Sequence, residues 1–252
     1  MNAMNGTAAF YDDLAELYDL VYSDWTASIE RQSTVLDGII RHAAPGAKIV
    51  ADVACGIGTQ TLGLAARGYE MIASDVSPGA IGRARREAAA RGLTIDFRCD
   101  DMTALTTYGD ASADVVIACD NAIPHLLSDD EIVRAFRQFR RVVRGQGLVI
   151  ISVRDYATMD RAPLQLIPCG VRIRDGRKVA VFQVWEWEGE QYQLNMYFVS
   201  DGGTGIDTKV MRSRYYAIAI SRLITLFADA GFGDVRRMDG PFFQPLIVAR
   251  LM

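Results

Sequence analysis

Short apolar segments alternate with amphipathic segments through the middle of the chain. β-rich runs at 48–53, 71–74, 94–98, 114–118 and 147–153 are separated by stretches in which apolar residues recur every three or four positions. Short buried strands joined by helices indicate a parallel sheet with right-handed crossovers. The pattern therefore predicts an α/β fold with a Rossmann-like, mostly parallel sheet that carries helices on both faces.

The segments on either side of this core follow other patterns. Residues 11–44 place apolar side chains at helical spacing, whereas the first ten residues are expected to be loosely held. After residue 156, runs at 171–173, 178–187, 192–200 and 208–217 are joined by tight turns, which predicts antiparallel strands. We expect an N-terminal helical cap at 1–45, a ligand-binding core at 46–156, an antiparallel β lid at 157–217, and a C-terminal helix and strands at 218–252 that complete the core sheet.

Composition and charge narrow the classes of function. The chain has 252 residues, half of them apolar, and a formal net charge of -4 without a basic stripe, so we expect no nucleic-acid partner. No apolar run approaches the roughly 20 residues that cross a bilayer, so we expect no membrane association. The four cysteines lack metal-ligand spacing and no leader precedes them, which predicts no metal site and fits a cytoplasmic location.

The most informative segment is a strand that runs through a glycine turn into a helix. The strand ends near Asp52, the turn contains Gly56 and Gly58, and the helix begins at Thr59. Glycine lets the backbone approach a ligand closely. Asp75 ends the next strand, where a carboxylate can bind both hydroxyls of a ribose. These positions together predict an adenosine-containing ligand at the carboxyl edge of the sheet.

Two features favour a cationic ligand without phosphate over a dinucleotide. Thr61 stands where the dinucleotide fingerprint has its third glycine, and Asp52 would face a pyrophosphate unfavourably. An alternative for Asp52 is a carboxylate that only caps the loop. The two readings of Asp52 are compatible.

These segments resemble the motifs of class I S-adenosylmethionine-dependent methyltransferases. Residues 50–58 are similar to motif I, 75–77 to the acidic motif II, and 99–102 to the adenine-binding turn. The resemblance implies S-adenosyl-L-methionine as the cofactor, a seven-stranded sheet whose last strand is antiparallel, and a lid like that of members that act on small molecules. It implies cofactor contacts by Asp52, Ala54, Gly56, Gly58, Asp75, Val76, Asp101 and Met102.

Further segments resemble glycine N-methyltransferases and their bacterial glycine/sarcosine relatives. Asn121 follows the fourth strand and Arg154 the fifth, and the arginine of that family holds the substrate carboxylate. Asp120 and Asp155 depart from the family pattern, and either could repel an anionic substrate or pair with Arg154. The resemblance also brings Tyr11 and Arg31 to the methionine end of the cofactor; the alternative for the N-terminal tyrosines is a packing stripe.

We therefore predict an enzyme that methylates the nitrogen of a small amine or amino acid by in-line displacement. In this hypothesis Asn121 orients the acceptor, Arg154 anchors its acidic group, and Asp120 and His125 contact the cofactor, although His125 could equally be a hydrogen-bonding group of the loop or core.

The lid contributes one tyrosine to the site. Tyr215 and Tyr216 are adjacent in a strand, so only one of them can face inward, and we assign the catalytic role to Tyr216. The alternatives are an O-methyltransferase of a small natural product, a NAD-dependent oxidoreductase, and a scaffold that has lost its chemistry. The expected partner is a small-molecule methyl acceptor, and the sequence leaves the formation of a homo-oligomer open.

Overall fold

The computed structural model describes residues 3–203, 205–240 and 242–251, with residues 3–5 described by their backbone alone. The helices of this part of the chain are α1 (Ala3–Leu14), α2 (Trp25–Ala43), α3 (Thr59–Ala66), α4 (Pro78–Ala90), α5 (Asp129–Val142) and α6 (Ile220–Asp229). The strands are β1 (Ile49–Asp52), β2 (Glu70–Asp75), β3 (Asp96–Cys99), β4 (Ala113–Ala118), β5 (Val143–Ser152), β6 (Leu164–Arg174), β7 (Arg177–Glu188), β8 (Gln191–Asp201), β9 (Ile206–Tyr216), β10 (Asp234–Met238) and β11 (Leu246–Arg250).

Seven strands form one twisted sheet in the order β10-β11-β5-β4-β1-β2-β3. Strands β1 to β5 run parallel, and β11 is antiparallel to both β5 and β10. The predicted fold class is confirmed, including the antiparallel last strand. Because parallel strands end at the same edge, the residues that follow β1, β2 and β4 lie near one another, as expected for a ligand site in this type of sheet.

Helix starts follow the signals that the sequence carries. Ser77 begins α4, its Oγ accepting a hydrogen bond from the Ala80 N–H, and Ser128 begins α5 in the same way through the Glu131 N–H. Helix α5 then packs on α6, where the rings of Phe136 and Phe227 stack with centroids 3.8 Å apart. Helix α5 gives way directly to β5 at Val143, earlier than the strand predicted from residue 147.

The second sheet is an antiparallel meander of four strands in the order β6-β7-β8-β9. Its first strand is longer than the predicted segment 171–173 because it begins at Leu164. The reason is a register shift between Pro168 and Gly170, which allows the strand to continue past a proline. The inner face of this lid covers the carboxyl edge of the core sheet.

The N-terminal segment differs from its expectation. Residues 3–10, expected to be loosely held, belong to helix α1, whose Phe10 and Leu14 are buried against the lid. The carboxylate of Asp12 accepts hydrogen bonds from Ser77 Oγ at 2.6 Å and Gly79 N at 2.7 Å, which docks α1 on the start of α4. The many small residues of this helix hid its buried face. A short 3-10 turn at Tyr18–Val21 leads on to α2.

None of the helices in the described part of the chain is both long and apolar enough to span a membrane.

The contact between α2 and α3 gives a test of the packing. A Cβ at Gly63 would lie 2.5 Å from Ser33 Cβ and 2.9 Å from the Ile29 carbonyl oxygen. We expect Gly63→Ala to lower the free energy of unfolding by about 1–3 kcal/mol through overpacking, although alanine favours helices. The matched control is Gly38→Ala in α2, where a Cβ meets nothing within 4 Å and the gain is about 0.5–1 kcal/mol. Urea unfolding measures the free energy of unfolding of both variants. If both substitutions stabilised the protein equally, the close contact between α2 and α3 at Gly63 would be contradicted.

Candidate active site

A cleft lies at the carboxyl edge of the core sheet, where ligands bind in folds of this type. We call it the core cleft. It is lined by Thr7, Tyr11, Tyr18, Tyr22, Val53, Ala54, Cys55, Gly56, Ile57, Thr59, Gln60, Asp75, Val76, Asp100, Met102, Cys119, Asp120, Ala122, His125 and Leu126.

The charged residues of the core cleft are all acids. Asp75, Asp100 and Asp120 line it, and the lining residues that the structure describes include neither lysine nor arginine. Such a site favours a cationic or neutral ligand over one that carries phosphates. Within the described residues, no group of three or more His, Cys, Asp and Glu side chains is arranged to hold a metal ion.

The glycine turn is held to the neighbouring strand by Asp75. Gly56 has φ +52°, and its N–H donates to Asp75 Oδ2 at 2.8 Å, while Ser77 N–H donates to Oδ1 at 3.0 Å. Each carboxylate oxygen keeps a further acceptor site, so the pair of oxygens remains available to two ligand hydroxyls. Burial raises the pKa of Asp75 above its usual value. Gly58, with φ +96°, begins α3 directly behind this turn.

Asp52 lies behind the core cleft rather than in its lining. Its Oδ2 accepts a hydrogen bond from Thr61 Oγ1 at 2.6 Å, and its Oδ1 accepts one from Ala54 N at 3.4 Å. This is the loop-capping arrangement that the sequence left open, so the expected cofactor contact by Asp52 becomes one of charge at a distance. Burial raises the pKa of Asp52 from 3.8 to about 7.

The turn after β3 contributes Asp100 and Met102 to the lining of the core cleft. Both acids of this turn form hydrogen bonds within it. Asp101 Oδ1 accepts from the N–H and Oγ1 of Thr103 at 2.7 and 2.8 Å, and Asp100 Oδ2 accepts from the N–H and Oγ1 of Thr107 at 2.7 and 2.6 Å. The cofactor contact expected of Asp101 therefore stays a prediction.

A second cleft, of about 920 Å³, lies between the N-terminal helices and the lid. We call it the lid cleft. It is lined by Phe10, Tyr11, Leu14, Tyr18, Val21, Tyr22, Asp120, Arg154, Gln183, Leu194, Met196, Tyr215, Phe243 and Gln244. Four residues, the tyrosines at 11, 18 and 22 and Asp120, line both clefts, so the two sites share one wall.

Asp120 is held rigidly in this shared wall. Its φ is +57° and that of Asn121 is +64°, a left-handed conformation that Asp and Asn tolerate better than other side chains. Tyr22 OH donates to Asp120 Oδ2 at 2.8 Å, and the Asp120 N–H donates to Ser152 Oγ at 2.7 Å. Ser152 Oγ in turn donates to Gln244 Oε1 at 3.0 Å. Burial raises the pKa of Asp120, against the effect of the Tyr22 hydrogen bond.

Arg154 brings a positive charge to the lid cleft without a carboxylate partner. Its guanidinium lies 5.2 Å from the Trp185 ring centre and donates to Tyr192 OH at 3.3 Å. No carboxylate of the described chain lies within 4.0 Å of it. Asp155 pairs with Arg237 at 2.6 Å, so the ion pair with Arg154 that the sequence left open is not formed.

Asn121 supports Arg154 instead of facing either cleft. Its side chain is 2% exposed; Oδ1 accepts from the Arg154 N–H at 3.0 Å, and Nδ2 donates to Tyr156 OH at 2.8 Å. The expected role of Asn121 in orienting the acceptor is therefore indirect in this geometry.

His125 joins three parts of the molecule at the core cleft. Its Nε2 lies 2.9 Å from Tyr11 OH of α1, and its Nδ1 lies 3.2 Å from Ser213 Oγ of β9. The ring of Tyr215 packs on the imidazole with centroids 4.1 Å apart. Burial, assisted by the charge of Arg154, lowers the pKa of His125 to about 3. The imidazole is thus neutral and is used for hydrogen bonding.

Two further predicted site residues, Tyr216 and Arg31, also lie outside both clefts. Tyr215 is the residue of its pair that faces inward, whereas Tyr216 OH donates to Asp129 Oδ1 at 3.1 Å on the other side of the strand. Because strand residues alternate between faces, Tyr215 holds the inward position that the sequence assigned to Tyr216. Arg31 is exposed on α2 and donates to Ser28 Oγ at 2.9 Å, so the structure does not bring it to the core cleft.

Sequence reasoning missed the loop before β11. Phe243 and Gln244 line the lid cleft, and Gln244 takes part in the hydrogen-bond chain that fixes Asp120. No local pattern marks these positions, because they approach the site only through the pairing of β11 with β5. The adjacent aromatic residues Phe242 and Phe243 are the one signal that could have directed attention to them.

Comparison with protein families places a known domain over the centre of the chain. Residues 50–147 match the methyltransferase domain family. A glycine/sarcosine N-methyltransferase of Parasynechococcus marenigrum is 26% identical over 199 residues, which are 75% of this chain and 70% of that protein. A ubiquinone biosynthesis O-methyltransferase of Azoarcus sp. is 30% identical over 131 residues, 52% of this chain and 56% of that protein. The chain spans 54–70% of the length of three curated relatives.

Solved structures share the fold over most of the chain. CalS10, an amino pentose methyltransferase of Micromonospora echinaspora solved with S-adenosylmethionine bound, superposes with a TM-score of 0.77 at 18% identity over 88% of this chain and 91% of that one. The predicted resemblance to class I S-adenosylmethionine-dependent methyltransferases is confirmed, and S-adenosylmethionine is supported as the cofactor.

The buried Asp52 gives a pH-dependent prediction. Its folded-state pKa is about 7 and its ordinary value 3.8, so between roughly pH 4 and 7 the folded state keeps a proton that the unfolded state has lost. The contribution of Asp52 to stability is therefore present at low pH and lost as the pH rises through 7. Asp52→Asn cannot ionise, so we expect its free energy of unfolding relative to wild type to rise between pH 5 and pH 8, as measured by urea unfolding without cofactor. A difference that is the same at both pH values would contradict the buried carboxylate.

Proposed function

We propose that this class I S-adenosylmethionine-dependent methyltransferase methylates the amino nitrogen of a small molecule that also carries a carboxylate. The observation that supports this substrate class is Arg154, a guanidinium that faces the lid cleft with no carboxylate of the described chain beside it. The carboxylate of Asp120, which lines the same cleft, indicates the second functional group of the acceptor.

A half-buried arginine with no carboxylate within 4.0 Å is costly unless a ligand supplies a closer charge. The Trp185 ring, one hydrogen bond to the Tyr192 hydroxyl and the more distant charge of Asp120 compensate only part of the lost hydration. A carboxylate can accept two parallel hydrogen bonds from the planar guanidinium, which is the strongest common pairing of these groups. The lid cleft therefore suits an acceptor with a carboxylate at its Arg154 end.

Asp120 brings the opposite charge to the same cleft, outside ion-pair distance of Arg154 but close enough for each charge to affect the pKa of the other. It is the carboxylate common to both clefts, and its orientation is fixed by Tyr22 and Ser152. An acceptor that offers an amine to Asp120 and a carboxylate to Arg154 matches both charges. A zwitterionic amino acid is the simplest molecule of this kind.

The residues of the core cleft fit S-adenosylmethionine. Asp75 would hold the ribose hydroxyls, Asp100 and Met102 the adenine end, and the excess of acids suits a ligand with cationic groups. When bound, S-adenosylmethionine supplies a methyl group attached to a positively charged sulfur. Because the two clefts share one wall, an acceptor in the lid cleft would lie beside that ligand.

The chain's own contribution to the reaction is alignment, exclusion of water and acceptance of a proton. An ammonium has no lone pair, so its proton must leave before the nitrogen can attack the methyl carbon; we assign the proton to the Asp120 carboxylate, whose raised pKa favours accepting it. The tyrosines at 11, 18 and 22 and the lid cover the two clefts and limit the access of water.

The same groups argue for nitrogen rather than oxygen as the acceptor atom. A hydroxyl acceptor usually needs a strong base, and His125 is a poor one because its pKa is lowered to about 3 and both ring nitrogens are engaged. The names of the relatives include N- and O-methyltransferases, so the acceptor atom has to be tested directly.

The direct test is a panel of acceptors assayed by release of S-adenosylhomocysteine. The panel contains small amino acids, the same molecules as amides, amino sugars and phenols. We expect turnover with amino acids and a loss of kcat/KM when the carboxylate becomes an amide. Turnover of phenols or neutral amino sugars alone would overturn the proposed substrate class while leaving the methyltransferase assignment intact.

Arg154→Lys tests the carboxylate anchor. Lysine keeps the charge and loses the two-pronged geometry, so we expect KM for the amino acid to rise roughly 10- to 100-fold with a smaller change in kcat. The matched control is Arg161→Lys, since Arg161 also lies 5.2 Å from a tryptophan ring but lines neither cleft. Steady-state kinetics on both variants provide the readout, and an unchanged KM for Arg154→Lys removes the anchoring role.

Asp120→Asn tests the proposed amine site. Asparagine tolerates the left-handed backbone but cannot accept the proton, so we expect kcat/KM to fall about 100-fold. The variant must bind the amine already neutral from solution. The increase of kcat/KM with pH should therefore occur at higher pH than in wild type. The affinity for S-adenosylhomocysteine, measured by calorimetry, should stay within a few-fold.

Asp129→Asn is the control for Asp120→Asn, because Asp129 lies outside both clefts. If Asp120→Asn instead weakens S-adenosylhomocysteine binding and leaves the pH profile unchanged, Asp120 serves the cofactor, as its position in the sequence first indicated.

A further inference from the structure

The outer face of the lid carries apolar side chains where a solvent-facing sheet should be polar. Seven large hydrophobic residues of the described chain are exposed, and five of them lie on this face. These five are Leu164, Leu166, Val171, Ile173 and Ile206, each 62–71% exposed. An antiparallel sheet with one wet face normally alternates apolar inside with polar outside. This pattern indicates that another surface covers this face of the lid.

Strand pairing shows that the apolar residues form a continuous surface. Two cross-strand rows of the outer face are mostly apolar: Pro168, Phe182, Tyr197 and Val210, and then Val171, Ala180, Val199 and Thr208. The neighbouring row is apolar on β6 and β7, at Leu166 and Val184, and polar on β8 and β9, at Asn195 and Arg212. The rings of Phe182 and Tyr197 stack at 4.8 Å in the middle of it. We call the surface formed by these rows the outer lid face.

The outer lid face has the dimensions of a dimer interface. Four strands about 4.8 Å apart and 11 or 12 residues long span very roughly 700 Å². A standard interface buries about 800 Å² on each partner, and sheets pack face to face with their apolar sides together. Its area therefore suits a partner sheet of the same size.

The charges at the ends of the face allow such a partner to be a second copy of this chain. One end row pairs Lys178 with Asp201 across the strands, and the other places Glu186 and Arg214 on the two sides of Gln193. The second end also carries Glu188, which pairs with Arg214 at 2.8 Å, and Arg212 in the adjoining row. Acids and bases are therefore equal in number at each end, and two copies related by a two-fold axis do not bring blocks of like charge together. We propose that the outer lid face is the interface of a homodimer in which the two lids pack sheet on sheet.

The proposal is tested on the full chain by light scattering after size-exclusion chromatography, over about 1–100 μM protein. We expect wild type at twice 27.7 kDa, and the double variant Leu166→Lys/Val171→Lys at 27.7 kDa. The two positions are exposed in the single chain, so the monomer should keep its circular dichroism spectrum. Met238→Lys, at an exposed apolar residue of β10, is the matched control and should stay dimeric.

A second measurement does not depend on variants. The melting temperature of wild type should rise with protein concentration, whereas that of the double variant should not. A wild-type chain that is monomeric throughout this range, or a double variant that stays dimeric, would overturn the proposal. These outcomes concern assembly alone and are independent of which acceptor the enzyme methylates.

Discussion

The site depends on one neutral imidazole that receives partners from two directions. His125 lies in the loop after β4 and joins Tyr11 of the N-terminal helix to Ser213 of the lid. A charged imidazole would suffer from burial and from Arg154, and its lowered pKa shows which form the fold selects. Because cap, core and lid meet at this ring, the shape of both clefts follows from how it is held.

The two clefts share one wall but differ in the charges of the side chains that line them. The core cleft contains acids and neither lysine nor arginine among its described residues, whereas the lid cleft contains both Arg154 and Asp120. The first distribution favours a cationic adenosine compound and the second a molecule with both signs of charge. Neither distribution is created by surface residues that salt would screen, since the groups concerned are largely buried.

The sequence predicted the core well because local signals there are strong. The glycine turn and the alternation of strands with helices are set by neighbouring residues, and the structure has them where they were expected. The caps at Ser77 and Ser128 are local in the same way. The sequence patterns failed where tertiary contacts determine which way a side chain faces. Periodicity gives the spacing of Tyr215 and Tyr216 but not which of them faces the cleft, and it does not reveal that α1 has a buried side.

Candidate site residues divide in the same way. Asp75 and Met102 line the core cleft because their positions after consecutive parallel strands determine their place. Asp52 and Asp101 accept hydrogen bonds from the segments that directly follow them, whereas Asn121 bonds Arg154 in the loop after β5. Sequence spacing does not reveal these partners. Gln244 reaches the site from the far end of the chain, so only the antiparallel pairing of β11 could have placed it there.

The three tyrosines of the common wall have a thermodynamic consequence. A ligand in either cleft contacts rings that also form the boundary of the other, so a shift of these rings changes both sites. Linkage then requires that each ligand changes the affinity for the other by the same factor. The helix that carries Tyr11 would then connect two binding equilibria as well as cover them.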